Sequence, residues 1–126
     1  MSSYIIMFIT LIVFVSLDSV YLYSMRHYFQ QQIQRIQGTP LQMNITATIL
    51  CYLTLAFGLY YFIIRPKKNV LDAFLLGLVI YLVYETTTWA LFTKWSPLTV
   101  LIDSLWGGIL FSITTMTVYR IERYIR

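Results

Sequence analysis

The sequence predicts an all-α fold: a polytopic membrane protein, a four-transmembrane-helix bundle with an amphipathic interfacial segment between helices 1 and 2. Three observations carry this. Of 126 residues, 59% are hydrophobic and 11% charged, where a soluble domain carries about 25% charged residues. The apolar residues fall into four blocks, each close to the about 20 residues that cross a bilayer. The breaks between blocks hold the Pro and most of the Lys and Arg residues. Residues 1–126 read as a single transmembrane domain, and a large water-soluble core is excluded.

The first span runs roughly 4–23. It has no basic stretch before it and no small-residue cleavage site, so it reads as a retained helix rather than a cleaved signal. In the segment that follows, Met25, Tyr28, Phe29, Ile33 and Ile36 recur every three or four positions among Arg, His and Gln. That spacing is an amphipathic helix, closed by Gly38 and Pro40, which either lies in the interface or extends the first span beyond the lipid. The second span, 45–64, ends at Arg65-Pro66-Lys67-Lys68-Asn69, where Pro66 stops the helix. The third runs 70–92 and breaks at Lys94-Trp95-Ser96-Pro97. Ser96 suits an N-cap and Pro97 the first turn of the fourth span, 98–118. The tail, 119–126, is amphipathic, with Arg120, Arg123 and Arg126 available to anionic headgroups.

The net charge is +4, yet the basic residues sit between and after the spans. This is a topology signal rather than a nucleic-acid footprint. With four spans, Arg65, Lys67, Lys68, Arg120, Arg123 and Arg126 share the side of the chain ends, and Arg26, Arg35 and Lys94 lie opposite. The excess places both termini in the cytoplasm. Cys51 is the one cysteine, so an internal disulfide is impossible and zinc-ligand spacing is absent. Tyr and Trp near the span ends fit interfacial belts.

Three carboxylates lie inside spans: Asp18, Glu85 and Asp103. No Lys or Arg lies within a span to neutralise them, and a charge in hydrocarbon is costly and usually functional. Asp18 is five residues before the end of the first span, Glu85 seven before the end of the third, and Asp103 five after the start of the fourth. Alternating topology brings these ends to one side, so each acid lies roughly 7–11 Å below that boundary. Asp72 and Glu122 differ, since both sit at span ends beside basic residues and read as structural. Tyr84, Thr87 and Thr88 surround Glu85 in sequence, and Trp106 follows Asp103 by one helical turn; these are the supporting polar and aromatic candidates. Ser104, Gly108 and Ser112 form a small-residue stripe suited to close helix packing. His27 lies just beyond Asp18 and reads as an interfacial polar residue. Asn44-Ile45-Thr46 is a glycosylation sequon hard against the membrane.

Three uses of the acids stand open. They bind or relay a proton or a cation bound at the acidic cluster. They form a polar clasp with Ser, Thr, Tyr and Trp donors. Or they act as acid and base on a membrane substrate. No metalloprotease, nucleophile-elbow, phosphate-loop or dinucleotide motif accompanies them.

The same residues carry a resemblance. Leu17-Asp18-Ser19-Val20-Tyr21-Leu22, Tyr84-Glu85-Thr86-Thr87-Thr88 and Asp103-Ser104-Leu105-Trp106-Gly107 resemble, in order and spacing, motifs of a family catalogued as domain of unknown function 2177. That family has Leu-Asp-x-x-Trp-Leu, Tyr-Asp-x-Thr-Asn and Asp-x-x-Trp-Gly at these places, and Gly58 and Pro66 also fall where its members put them. The departures here are Tyr21 for Trp, Glu85 for Asp and Thr88 for Asn. The resemblance implies four helices and points to the same three acids. It supplies no activity. Its members occur in bacteria and some large DNA viruses, which brings a viral protein of a virion or host membrane within view. The leading expectation is a small membrane protein whose acids serve proton or cation binding or ion transport. The alternative is a structural membrane subunit, with an enzyme third. Its partners are the lipid bilayer and, because so small a bundle leaves little room for a pore, further copies in a homo-oligomer or other membrane-complex subunits; no nucleic acid is expected.

Overall fold

The computed structural model describes residues 3–37, 44–92 and 94–125, all in helices or the short turns between them. Four helices are long and apolar enough to cross a membrane, and the protein is a multi-pass membrane bundle as its composition demands.

Helix α1 spans Ser3–Ser24. It buries Ile6, Thr10, Phe14 and Asp18, one residue per turn, so a single stripe faces the bundle and the rest faces lipid. Helix α2, Arg26–Gln37, follows after a turn at Met25, whose amide donates to the Tyr21 carbonyl at 2.9 Å and whose carbonyl accepts from the Phe29 amide at 3.1 Å. Gly38 and Pro40, expected to close it, lie outside the described residues.

Helix α3 spans Ile45–Leu59. Its N-cap is Asn44, whose side-chain oxygen accepts from the Ala47 amide at 3.0 Å. The span finishes as a π-helical turn, Tyr60–Ile64, with the Arg65 amide reaching back to the Tyr60 carbonyl at 2.8 Å. Pro66 stands where the helix stops, but Lys67 makes the reversal by taking a left-handed conformation, φ 61°. The amides of Lys67 and Lys68 then close on the carbonyls of Ile64 and Ile63 at 3.1 and 2.8 Å, the bonding of a Schellman cap built without glycine.

Helix α4, Val70–Leu91, is capped by Asn69, which accepts from the Asp72 amide at 2.8 Å. Helix α5 starts at Pro97, with Ser96 accepting from the Leu98 amide at 3.2 Å, as the sequence leads one to expect. It does not end at residue 118. It continues as one helix of 29 residues to Ile125, because no Gly or Pro interrupts Tyr119–Arg126.

The tightest seam is between α4 and α5. A Cβ on Gly77 would collide with the Gly107 backbone and the Phe111 ring, one on Gly107 with the Tyr81 ring, and one on Gly108 with the Phe74 ring. These glycines let the two backbones close, as small residues do within membranes. Phe14 meets Phe111 edge-on at 5.4 Å, which seats α1 on this pair. Helix α3 packs chiefly on α1 and leaves Ile45, Ile49, Leu50, Leu53 and Phe57 exposed to lipid.

Candidate functional site

The antiparallel arrangement delivers Asp18, Glu85 and Asp103 to the same end of the bundle, the end away from the termini. Their surroundings are aromatic. Asp18, 7% exposed, accepts from the Trp106 indole at 2.9 Å on one oxygen and from the Tyr52 hydroxyl at 2.5 Å on the other. Asp103, half-buried, accepts from the Tyr21 hydroxyl at 3.1 Å. Glu85, 2% exposed, accepts from the Trp95 indole at 2.8 Å, and its carboxyl lies near enough to Asp103 for the two to interact. The rings of Tyr21 and Trp106 stack at 4.5 Å and 4°. Two hydrogen-bonded groups, Tyr52–Asp18–Trp106 and Tyr21–Asp103, thus meet across the stack with the Trp95–Glu85 pair beside them, and together they touch all four spans.

Each partner has a local reason for its position. Asp18 and Tyr21 are three apart on α1 and share a face, as do Asp103 and Trp106 on α5. The turn after α4 brings Trp95 back over Glu85, through a bond from the Trp95 amide to the Phe92 carbonyl at 2.9 Å. Buried indole and phenol groups need an acceptor for their polar hydrogen, and here carboxyls supply it. Charge-assisted bonds of this kind are the stronger class.

A second polar layer roofs the first. Thr99, fully buried, donates to the Gln32 side-chain oxygen at 2.9 Å and pairs with the Tyr28 hydroxyl at 2.7 Å. Gln32 donates in turn to the Lys94 carbonyl at 3.2 Å. Helix α2 therefore docks on the α4–α5 turn through Gln32 and Tyr28. The contact thus combines Tyr28 of the recurring stripe with the polar Gln32.

Of the four supporting candidates, Trp106 touches an acid directly. Thr87 and Thr88 do not: their hydroxyls turn back to the carbonyls of Val83 at 2.7 Å and Tyr84 at 3.0 Å, the usual alternative for a helical Thr. Tyr84 is 65% exposed and makes no hydrogen bond to the acids among those seen. His27 is exposed and outside the network. Glu122 pairs with Lys67, a structural tie at the opposite end. The sequence reading assigned no acid partner to Tyr52, Tyr21 and Trp95. Tyr52 offered a signal, since it lies seven residues into its span from the same boundary as Asp18.

Both Asp18 oxygens face N–H or O–H donors. Among the described residues no three His, Cys, Asp or Glu side chains are disposed to hold a metal ion.

No curated protein and no solved structure matches the chain. The family described as predicted membrane protein DUF2177 matches residues 3–120. Its match takes in all four spans and every residue of the acid network, and the chain belongs to that family.

Proposed function

We propose that this membrane protein holds a proton inside the bundle, shared between Glu85 and Asp103, with Asp18 as a neighbouring acceptor fixed by Tyr52 and Trp106. The observation that supports the reading is the closeness of two buried or half-buried carboxyls, Glu85 and Asp103, on adjacent helices with no Lys or Arg between them. Two carboxylates repel, and a hydrogen bond between them needs one proton. A proton site near one face of a bundle is the usual starting point for a proton relay. A second reading, a purely structural clasp, draws support from the network's reach across all four spans.

Glu85→Gln separates them. It keeps the hydrogen-bonding shape and removes the titrating group, so the fold persists at a cost of about 1 kcal/mol. In liposomes the wild type should show the infrared carbonyl band of a protonated carboxyl and dissipate an imposed pH gradient faster than empty vesicles. Glu85→Gln should lose both. A wild type without the band sinks the proton site. A wild type with the band but no flux leaves the clasp.

The basic residues support an orientation with both termini in the cytoplasm: six lie on that side against three opposite. Cysteine placed at position 67 in a Cys51-free background should react with an impermeant reagent from the cytoplasmic face. Reaction from the other face reverses the assignment.

A further inference from the structure

At the opposite end of the bundle from the acids, an open cleft of about 490 Å³ lies between the start of α1 and the end of α3. Ser3, Tyr4, Phe57, Tyr60, Tyr61 and Arg65 line it. From this cleft we infer a binding site for the phosphate group of an anionic phospholipid in the leaflet on the termini side, with Arg65 as the anion ligand.

Depth is the first support. Ser3 and Tyr4 open the first span and Arg65 follows the last residue of the second, so the cleft sits where hydrocarbon gives way to headgroups. Charge is the second. Among the described residues of the lining, Arg65 is the one charged and none is a carboxylate that would neutralise it. A guanidinium matches a phosphate through paired N–H donors. Tyr4, Tyr60 and Tyr61 add hydroxyl-bearing rings of the kind that favour this depth.

The local backbone is the third. The α-helix gives way to a π turn at Tyr60–Ile64, and the first two residues of that turn, Tyr60 and Tyr61, both line the cleft. Single π turns within helices are frequent at functional sites. The turn leaves Tyr60 buried, at 8% exposure, and Tyr61 open, at 46%. The Arg65 guanidinium lies 5.5 Å from the Tyr61 ring centre, within cation–π reach.

The apolar wall distinguishes a lipid from free phosphate. Phe57 stacks on Tyr61 at 5.7 Å and 26° and is 52% exposed on the lipid face. A phosphate held at Arg65 would place its glycerol and acyl chain along this pair, further into the membrane. An inorganic anion would gain nothing from it.

Native mass spectrometry of the full chain in detergent tests the site, with phosphatidylglycerol, phosphatidylcholine and inorganic phosphate as probes. Phosphatidylglycerol should be retained over phosphatidylcholine. Arg65→Gln should weaken that retention about tenfold, the scale of one charge-assisted contact. Tyr61→Leu should weaken it in the same direction. Arg123→Gln, which removes a charge from the same side but outside the cleft, should change it about threefold or less. Equal retention by wild type and Arg65→Gln overturns the site, as does an equal loss in Arg65→Gln and Arg123→Gln, which marks diffuse charge. Displacement of the lipid by inorganic phosphate at matched concentration also overturns it, in favour of a free-anion site. Circular dichroism should show unchanged helix content in all three variants.

Discussion

The two ends of this bundle are held together by different means. At the end away from the termini, contact between helices is polar and directional: Tyr52, Trp106, Tyr21 and Trp95 each aim a hydrogen at a carboxyl. Toward the termini the interior is Leu59, Ile63, Ile64 and Val118, nearly or fully buried, and polar contact moves to the rim. There Lys67 pairs with Glu122, and the Tyr119 hydroxyl lies 3.1 and 2.6 Å from the carbonyls of Ile63 and Lys68. Phe14 and Phe111 stand between the two regimes. The difference teaches that the acids are no burden the fold merely tolerates. They take the place that apolar packing takes one layer away.

Breaking the polar end should therefore cost more than altering a polar atom at the apolar end. Asp18→Ala removes the acceptor of two part-buried donors at once. Leaving such donors unpaired costs about 1–3 kcal/mol each, softened where membrane helices find other partners. A loss of about 2–4 kcal/mol should appear in reversible unfolding in mixed micelles. A loss below about 0.5 kcal/mol would show that the network contributes little. The effect of Glu85→Gln on stability should fall between this and the next substitution.

Thr114→Val sharpens the contrast by its sign. The Thr114 hydroxyl is fully buried and has no hydrogen-bond partner. Val keeps the shape and discards the unpaired group, so it should stabilise by up to about 1 kcal/mol. Destabilisation of that size in the same assay would mean that the hydroxyl has a partner in the membrane.

Much of this architecture was legible in the chain. The spans, their caps at Ser96 and in the Arg65–Asn69 turn, and the shared level of the three acids all follow from blocks of hydropathy and the rise of a helix. What surrounds the acids was harder to read. Thr87 and Thr88 lie beside Glu85 in sequence, but a helical Thr has its own backbone within reach, and proximity along the chain does not decide the bond. Tyr52 comes from a different helix, and Trp95 from a turn whose path depends on packing. The direction of α2 was equally hidden. The recurring Met, Tyr, Phe and Ile advertise an apolar face, while the docking contact pairs Tyr28 with Gln32, a residue whose usual place is water.

Helix α5 carries one further consequence. Its 29 residues measure about 44 Å along the axis, against about 30 Å of hydrocarbon. Some 14 Å of it, at small tilt, has to stand clear of the oily layer. Lys67 ties that overhang, through Glu122, to the turn joining α3 and α4. The overhang is then no free lever. In a thicker or thinner bilayer, leaning of α5 strains its tie to that turn, so the two are biased to move together.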